Sequence, residues 1–136
     1  MQTSSLQLTT HPDVYVERAR NGWAIVRLNR PKSLHALDES LANALFEVFE
    51  QLRHDTQTQA IWLDSTTPKA FCAGGDVRKL REMVLSDQAE QADQFFAAEY
   101  RLDLLLHQYC PETLDPGLRQ QSRGGDGQWI LRIGQY

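Results

Sequence analysis

Two short apolar runs, residues 23–28 (WAIVRL) and 60–64 (AIWLD), flank a segment whose large apolar side chains recur at helical spacing. No other feature constrains the fold as much. Leu41, Leu45, Val48 and Leu52 share one face of a helix expected over 39–54, and Asp38 is placed to cap its first turn. Short apolar strands of this kind are usually buried in a parallel sheet. Strand, helix, strand reads as a βαβ unit, which puts the chain in the α/β class. Ahead of that unit, Val14 and Val16 alternate with polar neighbours as in a strand. Asn21-Gly22 is a strong hairpin dipeptide. Residues 1–12 are polar, contain Pro12 and show no periodicity, so a flexible tail is expected there.

A chain of 136 residues allows one domain at most. Lys and Arg total 14 against 18 Asp and Glu, a net charge of −4. That balance argues against nucleic acid or an anionic membrane surface as the main partner. No apolar run approaches the roughly 20 residues that span a bilayer. The first thirteen residues, MQTSSLQLTTHPD, hold no Lys, no Arg and no apolar core, unlike a secretory or transit segment. Cys72 and Cys110 fit no zinc spacing and read as reduced thiols, which points to a cytoplasmic setting.

Two further helices are expected, over 77–84 and 88–109, the second with Ala92, Phe95, Phe96, Leu102 and Leu106 on its apolar face. From Cys110 onward Pro, Gly, Gln and Arg dominate, and only 129–133 has the pattern of a strand. The organisation is therefore a tail over 1–12, an α/β body over 13–109 and an irregular segment over 110–136.

Chemistry enters at Gly74-Gly75-Asp76, between an apolar stretch and a helix. Adjacent glycines let a ligand approach the backbone closely. Asp76 can cap the helix that follows, leaving the Gly75 N–H near its positive end, where a free donor stabilises a developing oxyanion. Taken alone, the turn fits an ordinary loop with a capped helix more readily. Glu99 is more informative. It lies four residues after Phe95 and three before Leu102, near the centre of the apolar face. A carboxylate facing a core must be paired, protonated or used, and burial raises its pKa. A satisfied buried Glu and a small rotation of the helix remain equal alternatives. His35, His54 and His107 have no metal-ligand spacing, Cys72 has no evident His partner, and Arg78, Lys79 and Arg81 read mainly as a solvated face.

Two segments carry a resemblance. Leu28-Asn29-Arg30-Pro31-Lys32-Ser33-Leu34-His35-Ala36-Leu37 resembles the LNRP-x-x-LNAL segment of the crotonase (enoyl-CoA hydratase/isomerase) superfamily. Lys69-Ala70-Phe71-Cys72-Ala73-Gly74-Gly75-Asp76-Val77 resembles its first oxyanion-hole segment. The AGGD-V-R turn and the run Phe95-Phe96-Ala97-Ala98-Glu99-Tyr100-Arg101-Leu102 look more like the 3-hydroxyisobutyryl-CoA hydrolase branch than a simple hydratase. The resemblance spans about 13–109 and implies the N-terminal part of a crotonase ββα-repeat spiral, incomplete in this chain. It implies that Gly75 supplies one of two N–H donors to the thioester oxygen of a small acyl-CoA substrate. Glu99, with Gly74 and Asp76, would line the substrate. Arg30 and Lys32 would lie near the coenzyme A moiety. Coenzyme A enters only as part of the substrate, with no separate cofactor and no metal, and a homo-oligomer is allowed. His35 stands where the family usually has Asn.

The resemblance stops at Tyr109. The family pattern continues with Lys-Pro, a strand, a Met-Gly-Gly-Gly loop carrying the second donor, and the catalytic carboxylates. Residues 110–136 do not follow it. A one-nucleotide frame change near Tyr109 or Cys110 permits codons close to that pattern, Val-Met-Gly-Ser-Gly falling across residues 125–130. One missing oxyanion donor costs about 3 kcal/mol. The expectation is therefore a thioester hydrolase by family, with a hydratase/isomerase as the alternative, impaired or non-catalytic as this chain. An exposed sheet edge is expected as well.

Overall fold

The computed structural model describes residues 3–20, 22–67, 75–109 and 129–132. Its elements in chain order are β1 (Thr3–Ser5), β2 (Val14–Ala19), β3 (Trp23–Leu28), α1 (Glu39–Arg53), β4 (Ala60–Ser65), α2 (Val77–Leu85), α3 (Ala89–Tyr109) and β5 (Trp129–Arg132). A short 3-10 turn, Pro31–Ser33, follows β3. The strands form one sheet in the order β1-β2-β3-β4-β5.

β2 and β3 pair antiparallel across the expected hairpin, Val16 opposite Val26. Gly22 has φ +82°, the left-handed geometry that glycine supplies at such a turn. β3 and β4 pair parallel from Trp23 opposite Ala60 to Leu28 opposite Ser65. α1 makes the crossover between them, so the βαβ unit read from the two apolar runs is present. α1 starts as expected, with the Asp38 carboxylate accepting the Leu41 N–H at 2.8 Å. It buries Leu41, Ala42, Ala44, Leu45, Val48, Phe49 and Leu52, a wider face than the four residues at helical spacing.

The core lies between one sheet face and the α1–α3 pair. Val14, Val16, Ala24, Val26, Leu28, Ile61 and Leu63 come from the sheet, and Ala98, Leu102 and Leu105 from α3. Alternate β3 residues enter this core, the burial pattern expected of a strand with period two. Full burial of a Leu, Val or Phe side chain is worth about 1.5–3 kcal/mol, so this cluster is the main source of stability. Across α1 and α3, the Arg101 guanidinium sits 4.2 Å above the Phe46 ring and its Nη2 donates to Asn43 Oδ1 at 2.8 Å.

One expectation is corrected. Residues 1–12 are not wholly a loose tail. Thr3–Ser5 pairs antiparallel with β2, the Leu6 N–H donates to the Val16 carbonyl at 2.9 Å, and Leu6 and Leu8 pack against the core. Backbone pairing orders three exposed polar residues that no side-chain pattern marks as a strand. On its far side β4 is covered, while the open sheet ends in the edge strands β1 and β5. β5 pairs antiparallel with β4, Ile61 opposite Leu131. The strand expected over 129–133 is present as Trp129–Arg132.

Candidate active site

The site forms where the loops leave the carboxyl ends of the parallel strands β3 and β4, the usual place for a ligand in an open α/β sheet. After β3 the chain enters the Pro31–Ser33 turn and then adopts left-handed backbone at Leu34 (φ +50°) and His35 (φ +58°). Left-handed geometry is uncommon outside glycine, and Asn, Asp and His tolerate it best. His35 is thus a physically apt replacement for Asn. It is fully buried. Its Nδ1 accepts the Arg30 N–H at 2.9 Å, so its Nε2 carries the proton and donates to Thr67 Oγ1, 2.7 Å away. Burial pushes its pKa below the ordinary value, in keeping with a neutral ring. The His35 N–H also donates to the Arg30 carbonyl at 2.9 Å, so these two residues clasp each other. Through Thr67 the same ring ties the loop after β3 to the loop after β4.

Leu37 and Gly75 form a parallel bridge, and the Asp76 N–H donates to the Leu37 carbonyl at 2.7 Å. Successive N–H groups in extended chain point to opposite sides. The Gly75 N–H therefore faces away from Leu37, toward the open side of the turn. A Cβ at Gly75 would stand 3.1 Å from Glu99 Oε1 and 3.2 Å from Glu99 Oε2. The two residues singled out on independent grounds, a turn glycine and a carboxylate within an apolar stripe, are neighbours. Glu99 is half-buried on α3, while Ala98 takes the fully buried position beside it. Burial raises the Glu99 pKa, and the charge of Asp103, one turn along α3, raises it further.

Asp76 is the cap of α2 and accepts the Lys79 N–H on Oδ1 at 3.2 Å. Its Oδ2 pairs with Arg30 Nη2 at 3.0 Å, and the residue is only 9% exposed. Arg30 Nη1 donates to the Ala36 carbonyl at 2.8 Å, and Nη2 also lies 3.7 Å from Asp38 Oδ2. Asp38 binds the Lys79 ammonium at 2.9 Å as well. The residues expected to line the substrate (Asp76) and to lie near the coenzyme (Arg30) thus pair with each other. Their charged groups are directed at each other inside the fold. The partners of Arg30 lie far along the chain, so the sequence alone does not show these contacts. Lys32 is exposed in the 3-10 turn. Gly74 and both cysteines lie outside the described residues. Among the described residues no cluster of His, Cys, Asp or Glu could hold a metal ion, and no helix is long and apolar enough to cross a membrane.

The fold has close counterparts among solved structures. A carnitinyl-CoA dehydratase from Mycobacterium thermoresistibile superposes with a TM-score of 0.66 at 29% identity, covering 74% of this chain and 29% of that one. An enoyl-CoA hydratase/carnithine racemase from Magnetospirillum magneticum gives 0.64 at 26% identity, covering 79% of this chain and 39% of that one. The family model for enoyl-CoA hydratase/isomerase matches residues 23–114, and the chain belongs to that family, the crotonase superfamily. Mitochondrial 3-hydroxyisobutyryl-CoA hydrolase of Gallus gallus is 36% identical over 91 residues, 67% of this chain and 23% of that protein. The Homo sapiens protein of the same name is 32% identical over 103 residues, 72% of this chain and 26% of its own length. The chain thus spans about a quarter of the length of the curated relatives it matches.

Proposed function

We propose that this chain forms the first half of an acyl-CoA thioester site of the 3-hydroxyisobutyryl-CoA hydrolase type. The observation that carries this reading is the Gly75–Glu99 pair, a backbone N–H turned away from its bridge beside a half-buried carboxyl whose pKa burial raises. Hydrolysis of a thioester passes through a tetrahedral intermediate whose oxygen bears the negative charge. An N–H aimed at that oxygen stabilises the transition state more than the substrate. Glu99 holds the acyl group's polar end against the wall of α3. The similarity to the hydrolases supports the hydrolase over other crotonase activities. The hydratase names among the solved structures support the alternative, an enoyl-CoA hydratase or isomerase. The relatives' names place them in mitochondria, whereas the sequence reading for this chain is cytoplasmic. Imaging of a tagged chain decides between them.

Calorimetric titration of the purified chain with 3-hydroxyisobutyryl-CoA and with crotonyl-CoA tests the reading. Tighter binding of the hydroxyacyl thioester is expected, and weaker binding in Gly75→Ala, whose added Cβ would stand 3.1 Å from Glu99 Oε1 and crowd the turn that aims the N–H. Affinity indifferent to Gly75→Ala sinks the proposal, and preference for crotonyl-CoA moves it to the hydratase.

A further inference from the structure

Arg30 ties together several parts of the site. Its Nη2 reaches the cap of α2 at Asp76 and approaches the cap of α1 at Asp38. Its Nη1 binds the Ala36 carbonyl, immediately before the Leu37 bridge to Gly75. Its backbone N–H and carbonyl are both engaged by His35. The side chain is only 16% exposed, so these charge-assisted bonds are little screened by solvent. Arg30 therefore touches both strands of the bridge that aims the Gly75 N–H. A planar, multi-donor fork suits this geometry, and a lysine has no equivalent.

We propose that Arg30 is a positioning residue for the Gly75 N–H. Through Asp76 and Ala36 it locks the register of Leu37 against Gly75 and so sets where the outward N–H points. Its consequence for chemistry rests on Gly75 being the oxyanion donor, but the positioning itself can be measured without a ligand.

Amide hydrogen exchange, followed by NMR on the full chain, reads the bridge directly at the Asp76 N–H. In Arg30→Gln, exchange at Asp76 and Lys79 is expected to accelerate about tenfold or more, while Phe49 in the core keeps its protection. Arg30→Lys falls between. Asp76→Asn retains a capping side chain but removes the charged partner, and adding Arg30→Gln to it should change Asp76 exchange little further. Unchanged Asp76 exchange in Arg30→Gln overturns the proposal. So does equal acceleration at Phe49, which would make Arg30 a general stabiliser. A second reading uses an acyl-CoA labelled with carbon-13 at the thioester carbonyl. The bound carbonyl stretch should shift to lower frequency in the wild type and return toward the free value in Arg30→Gln. A wild-type chain that leaves the stretch unshifted refutes the thioester site, and the exchange result alone then decides the role of Arg30.

Discussion

Replacing Asp38 by Asn separates charge from capping at the start of α1. The carboxylate accepts the Leu41 N–H, the Ser40 hydroxyl and the Lys79 ammonium. Burial alone would raise its pKa, but the Lys79 hydrogen bond, the Leu41 N–H, the Lys79 charge and the Ser40 hydroxyl together outweigh it and bring the value from 3.8 to about 2. Asn caps a helix about as well as Asp, so Asp38→Asn removes chiefly the charge. The gap between 3.8 and about 2 is equivalent to about 2 kcal/mol of stability at neutral pH. The folded value is the lower one, so this stability is fully present above the unfolded value and is lost as pH falls through the folded one. Roughly half remains near pH 3 and little near pH 2. Urea denaturation of wild type and Asp38→Asn, repeated from pH 7 downward, should therefore show two curves of stability that converge in acid. Asp38→Ala, which also loses the cap, should stay about 1 kcal/mol below Asp38→Asn at every pH. A difference between wild type and Asp38→Asn that does not change with pH refutes the reasoning, because it would have to come from packing and not from the charge.

Other outcomes follow from single residues. Phe49 is completely buried, so Phe49→Ala should lower stability by about 3–5 kcal/mol, seen as a shifted or lost urea transition. His35 titrates below its ordinary 6.5 because it is buried. The unfolded chain then takes up a proton that the folded chain refuses, so thermal stability should fall as pH drops below 6.5, and His35→Asn should flatten that slope. Glu99 is displaced upward from 4.5. Its ionised form costs stability, so Glu99→Gln should raise the melting temperature at pH 7, with the gain shrinking as pH falls toward 4.5.

The sheet and its crossover helix were legible because they depend on local patterning. Leu41, Leu45, Val48 and Leu52 mark the buried face of α1 whatever packs on it, and Asn21-Gly22 marks the hairpin by its backbone preference. Glu99 was legible as a carboxylate out of place, since its helical phase alone aims it inward. Arg30 was not. The resemblance puts it near the coenzyme, but its contacts with Asp38 and Asp76 exist only once the fold brings both caps to it. Thr3–Ser5 was missed because its three side chains are exposed and only its backbone pairing with β2 defines a strand.

The pairing of β4 with β5 also has a consequence in time. The 63 residues between Ser65 and Trp129 must be synthesised after β4 before its antiparallel partner exists. At about 5–20 residues per second, roughly 3–13 s pass on the ribosome with the β4 edge unpaired on that side. During that interval Ala60, Ile61 and Leu63 offer their backbone to any extended chain nearby, a neighbouring nascent copy included. The yield of soluble protein should thus depend on how fast and how densely the chain is translated, through a strand that in the finished fold lies in the interior of the sheet.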